Sequence, residues 1–263
     1  MIIYFLKDNV GCDDMVLPKI KFKEMTLKEN IDLIKWAYYE DNGSLDVHNY
    51  TIEYYPELAS IEPGTSRKKV YKIIEDVVKR DYEKYKTRIE EECIRYSRVW
   101  EKYNNKYFET LTKYLDIKWI DNKDEIIATV GLIPVFPRYL DKCSFSVSTG
   151  LSEEKIIEVC AHETLHFWWF LKWQEIHPEI PKREYDSPYL TWQYSEMVTD
   201  SILNNNPFSD IFNFIEKGYD SFYELKDHEG KKVMDVLRNI YAENIAIEDK
   251  INKGFEYVKE ILG

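Results

Sequence analysis

Residues Val159 to Phe170 read VCAHETLHFWWF. His162 and His166 stand four apart, so on an α-helix both imidazoles leave one face, a single turn from each other. Two ring nitrogens aimed at one point begin a zinc site. A catalytic zinc takes three protein ligands and keeps its fourth position for water or substrate. Glu163 follows the first histidine directly, where its carboxylate can accept the proton of a metal-bound water. The spacers and flanks, Val159, Cys160, Thr164, Leu165, Phe167 and Trp168, are uncharged. The segment is apolar nearly all round, which predicts a buried helix. The plainer reading of the same residues is a pair of core histidines.

Working outward, Ser152 is a good N-cap, and Glu153 and Glu154 suit a first helical turn. The helix is predicted to run to about Lys172 or Trp173. Upstream, CSFSVSTG (143–150) alternates Cys143, Phe145 and Val147 against Ser144, Ser146 and Ser148. That is the period of a half-buried strand with a serine-lined face, compatible with a sheet edge at a cleft. EIIATVGLIPVF (125–136) is a second strand-like run, closed by Pro137.

Two histidines do not complete a site. Downstream, PYLTWQYSEMVTDSILNN (188–205) predicts a helix from Tyr189 to about Asn204. Within it Glu196 is flanked by Tyr194, Met197, Val198 and Ile202, so it lies near the buried stripe. A buried carboxylate needs a partner, and a metal is one. Asp200 follows one turn later on the same face. Between the two helices, residues 172–188 carry three prolines and are expected to loop out. His177 in that loop is the rival third ligand.

H-E-x-x-H followed on another helix by E-x-x-x-D resembles the gluzincin clan of zinc peptidases, which includes the thermolysin-like enzymes. The flanks are also similar to bacterial H-E-x-x-H proteins of no assigned activity. The metzincin continuation fails, because Trp169 stands where its glycine belongs. The resemblance covers roughly residues 156–203. It implies that His162, His166 and Glu196 ligate Zn2+ and that Glu163 is the general base. It further implies that Asp200 accepts the ring N–H of a ligand histidine. A C-terminal His or Tyr would stabilise the oxyanion, and His228 is the preferred candidate beside Tyr219 and Tyr223. One departure is the 29 residues between His166 and Glu196, a longer gap than in thermolysin-like enzymes.

The bulk numbers bound the rest. The chain has 263 residues, 44% hydrophobic and 32% charged, which suits a globular protein with a sizeable core. A net charge of -12 argues against a nucleic-acid partner. No run reaches the length of a membrane span, and MIIYFL (1–6) reads as a strand. Cys12, Cys93, Cys143 and Cys160 form no C-x-x-C pair and are expected as free thiols, which with the lack of an export signal suggests a cytoplasmic protein. KIKFKEM (19–25) reads as a strand and LKENIDLIKWAYYE (27–40) as a helix, while His48 lacks supporting context. Residues 67–115 predict one long helix or two in tandem.

The expected fold is α+β, predominantly helical, with a small mixed sheet of three to five strands beside the H-E-x-x-H helix, zincin-like. The whole chain, 1–263, is read as a single catalytic unit, with a mixed then long-helical part (1–118) and a metal-site part (119–263). A peptide or protein substrate is expected. The alternatives are a zinc hydrolase of a small non-peptide amide or ester, and a non-catalytic zinc-stabilised interaction protein that docks through residues 67–115.

Overall fold

The computed structural model describes residues 17–39, 47–120, 122–213 and 218–263. The strand expected at 1–6 and Cys12 lie outside these residues. The order is β1 (Lys19–Glu24), α1 (Leu27–Tyr39), α2 (Val47–Tyr54), α3 (Pro56–Ala59), α4 (Arg67–Glu101) and α5 (Asn104–Leu115), followed by β2 (Glu125–Gly131), β3 (Arg138–Tyr139) and β4 (Ser144–Ser148). Five helices complete the described chain: α6 (Glu153–Ile176), α7 (Leu190–Leu203), α8 (Asp220–Glu224), α9 (Val233–Ala242) and α10 (Ile247–Leu262). The architecture is α+β, mostly helical, with a small mixed sheet, as the sequence predicts.

The four strands lie in the order β1-β2-β4-β3. β1 pairs parallel with β2, and β2 parallel with β4. β3 turns back antiparallel onto β4 through the single 3₁₀ turn Leu140–Lys142, with Cys143 at φ 47°. The hydrogen bond from Ser146 N to Pro137 O extends this pairing. β4 is therefore no open edge, and Ser146 and Ser148 are both buried. Ser146 Oγ is spent on Thr129 Oγ1 at 3.1 Å. Ser146 and Ser148 thus face the interior rather than a cleft, and the β3 hairpin pairs along the outer edge of the strand.

Residues 67–115 form two tandem helices. Asn104 marks the junction: its amide donates to Pro18 O, and its side-chain oxygen accepts the Trp100 indole N–H. The buried stripe of α4, from Val70 through Ile74, Val78, Ile89 and Tyr96 to Trp100, packs on β1, α1 and α6. That stripe belongs to the main core of the chain.

α6 is surrounded. Its FWWF run sends side chains to separate neighbours. Trp168 stacks between Trp119 and Phe108, at centroid distances of 4.1 and 4.8 Å. Trp169 meets Trp173 and Tyr194 of α7. Phe170 stacks on Tyr185 at 4.5 Å. Tyr185 belongs to the proline-rich insert, so that segment does not loop out. Its aromatic ring pins it against α6, and residues from Ile20 to Val258 join one core.

The start of α6 is fixed by α4. Ser152 caps the helix by accepting Lys155 N–H, as predicted. Tyr96 Oη donates to Ser148 O and accepts Leu151 N–H. Glu92 accepts Gly150 N–H at 3.2 Å. Gly150 has φ 79°, and a Cβ there would meet Arg88 Nη2 at 2.6 Å. Replacing it strains the backbone where the chain turns from sheet into motif helix. Gly150→Ala is expected to cost about 1 kcal/mol or more, read as a lowered urea midpoint with an unchanged m-value.

Candidate metal centre

His162 and His166 project from α6, and Glu196 comes from the facing α7. Their ligating atoms all lie within 4.8 Å of one another. His162 Nε2 is 3.2 Å from Glu196 Oε2, and His166 Nε2 is 3.4 Å from Glu196 Oε1. Ligand bonds of about 2.0–2.2 Å in a tetrahedron put neighbouring donors about 3.3–3.6 Å apart, so these three side chains could hold a metal ion. The His166 side chain is fully buried, and neither ring nitrogen makes a hydrogen bond among the described residues. An orphaned buried imidazole costs stability, and a metal satisfies it. The His162 side chain keeps 12% exposure, so the group opens to solvent on that side.

The charge states also suit a metal, which binds neutral imidazole and ionised carboxylate. Desolvation lowers the His166 pKa to about 3, with the nearby Arg138 charge acting in the same direction against Glu196. Burial opposes ionisation of Glu196. The neighbouring imidazoles and the Arg138 guanidinium outweigh it, and the carboxyl sits well below its usual range. With His166 neutral, the standing positive charge beside Glu196 is Arg138. Glu163, buried beside His162 on α6, is positioned by the same helix.

Arg138 is the residue that the sequence reading missed. It opens β3 at the end of the sheet, and its Nη1 donates to Glu196 Oε1 at 2.6 Å. Its Nη2 donates to Tyr185 O at 3.4 Å, and its guanidinium lies 5.4 Å from the Phe170 ring centroid. The pair is nearly enclosed, at 11% and 4% side-chain exposure. A carboxylate has two oxygens, so Glu196 can serve a metal with one and Arg138 with the other. The faint signal available was that Arg138 is the only arginine between Arg98 and Arg183.

The remaining candidates fall elsewhere. The Asp200 carboxylate accepts from Tyr223 Oη at 2.8 Å, from Arg238 Nη2 at 2.6 Å and from Asn204 Nδ2. It is not hydrogen-bonded to either ligand histidine, because α9 supplies a competing cation. Tyr223 is thereby engaged with Asp200, and Tyr219 packs on Trp192 and Phe222. His228 is exposed in a tight turn closed by Asp227, outside the ligand group. The backbone hydrogen bonds of that turn hold it at the surface, so the predicted oxyanion role finds no support in its position. His177 caps the far end of α6 against Trp173, about 16 Å along the helix from His166 at about 1.5 Å per residue. His48 contacts Tyr38 O on the α1–α2 side. Cys93, Cys143 and Cys160 are free thiols, as expected.

No helix among the described residues is long and apolar enough to cross a membrane. Compared with protein-family models, curated proteins and solved structures, the chain finds no match.

A buried neutral imidazole makes the metal-free protein acid-sensitive. The unfolded chain takes up a proton on His166 near the ordinary 6.5, but the fold does so only at about 3. Protonation therefore favours unfolding, and stability falls as pH drops from about 6.5 towards 3. Glu196, ionised in the fold, adds a loss in the same direction below its ordinary 4.5. Urea midpoints of chelator-treated protein are expected to decline between pH 7 and pH 5, and the decline to shrink in His166→Gln. An equal slope in both proteins would contradict the buried neutral imidazole.

Proposed function

We propose that the protein is a zinc-dependent hydrolase of amide bonds, with peptides as the leading substrate class. The observation that carries the reading is the convergence of His162, His166 and Glu196 on one buried point, with Glu163 beside the first ligand. A structural zinc site closes its fourth position and has no use for a base there. The chain is acidic, which disfavours a nucleic-acid substrate.

Zinc, when bound, supplies a Lewis acid that lowers the pKa of water and polarises a carbonyl. The protein residues do the rest. Glu163 takes a proton from the attacking water and delivers it to the departing amine nitrogen. His162 and His166 hold the metal as neutral donors on the rigid α6. Glu196 supplies the anionic ligand, and Arg138 keeps it ionised and oriented through the bond to Oε1. Packing around α6 excludes bulk water from the His166 side.

Elemental analysis of the purified protein is expected to give about one zinc per chain, and none in His162→Ala/His166→Ala. Glu163→Gln is expected to keep the metal and lose about 10²–10⁴-fold in hydrolysis of a mixed peptide library. Zinc retained alongside undiminished activity in Glu163→Gln would reject the general-base role. Absence of metal from the wild type, even after zinc loading, would reject the whole reading.

A further inference from the structure

A cavity of about 450 Å³ lies on the outer side of Arg138. That is within the range of small-ligand pockets, about 300–1,000 Å³. Its apolar wall is aromatic, with Trp119, Phe167, Phe170 and Tyr185. Four cations line it, Arg138, Lys123, Lys142 and Lys182, against two acids, Asp141 and Asp186. With Arg138 already paired to Glu196, the three lysines against two acids still leave a local positive excess in a chain of net charge -12. None of the three metal-group residues lines it, so Arg138 is the single side chain common to the pocket and the Glu196 contact.

We propose that this pocket binds the C-terminal residue of a peptide substrate, with Arg138 and the rim lysines receiving its free α-carboxylate and the aromatic wall its bulky apolar side chain. The substrate class rests on the hydrolase reading above. The binding chemistry does not, since the pocket is formed without a metal. Arginine's planar fork carries five donors, and Glu196 and Tyr185 O occupy only part of it. A second carboxylate can take the remaining donors, and bidentate geometry makes such contacts selective. Phe170 and Tyr185, stacked on each other beside the guanidinium, put an apolar wall next to the charge.

The test is equilibrium binding to chelator-treated protein, read by calorimetry and by intrinsic tryptophan fluorescence, so that turnover plays no part. Acetyl-Gly-Phe is compared with its C-terminal amide. The acid is expected to bind at least tenfold tighter, the scale of a charged hydrogen bond of about 1.5–3 kcal/mol, and the advantage to fade as salt rises. Arg138→Gln is expected to erase the preference for acid over amide. If that variant does not fold, Lys142→Gln/Lys182→Gln at the exposed rim reads the same charge and should weaken acid binding several-fold. Equal binding of acid and amide, no binding of either, or a preference unchanged by these substitutions overturns the proposal. 3-Phenylpropionate separates a peptide from a small carboxylic acid: affinity equal to that of the peptide acid overturns the peptide assignment. Hydrolysis of peptides without regard to a free C-terminus would leave the hydrolase reading intact and reject the pocket's role. Tight acid-selective binding in a protein that takes up no zinc would do the reverse.

Discussion

The Glu196 carboxylate, enclosed between two imidazoles and one guanidinium, is the interaction around which the surrounding structure is arranged. An unpaired carboxylate in that position would cost several kcal/mol in desolvation. It is stable there because α6 presents His162 and His166 on one face, α7 faces that surface, and β3 delivers Arg138 from the end of the sheet. Each of these elements is held by its own packing. The Trp168 sandwich fixes α6 against α5, Trp169 and Trp173 fix it against α7, and Tyr185 folds the proline-rich insert over Phe170 and Arg138. Phe170 and the packing around α6 shield the His166 side of the polar cluster, which strengthens its electrostatics there.

Arg138 changes the character of the site. A His/His/Glu group alone would carry one negative charge. With the guanidinium in contact it is neutral before any metal arrives. A divalent cation bound there would leave the cluster positive, and the rim lysines extend that potential outward. The same guanidinium disfavours protonation of His166, keeping a ligand nitrogen available. A second buried carboxylate, Asp200, lies one turn along α7 and is balanced by Arg238 and Tyr223. The two acids, one turn apart on α7, are therefore balanced by different counter-ions, Arg138 and Arg238.

Several features were legible because they depend on local spacing. The i, i+4 histidines on one helix face, the Ser152 cap, the tandem helices over 67–115 and the helix bearing Glu196 all follow from periodicity and capping chemistry. The alternation of CSFSVSTG gave a strand in the right place but not its surroundings. A period of two says which side chains share a face and is silent about what covers that face. Here Ser146 and Ser148 are buried, and the β3 hairpin pairs along the edge of the strand. Prolines in the insert signalled turns, yet the burial of Tyr185 depends on a stacking partner far along the chain.

The sequence by itself determined a soluble-type composition, an acidic charge, an α+β element pattern and the pairing of two imidazoles with Glu163 on a buried helix. Those properties are encoded within a turn or two of chain. Only the tertiary structure brings Glu196 to the two histidines and Arg138 to Glu196, pairs Asp200 with Arg238 and Tyr223, and forms a pocket lined in part by Arg138. These depend on contacts between residues separated by tens of positions, such as Arg138 with Glu196. Such contacts are set by how whole elements pack, and no local period in the sequence records them.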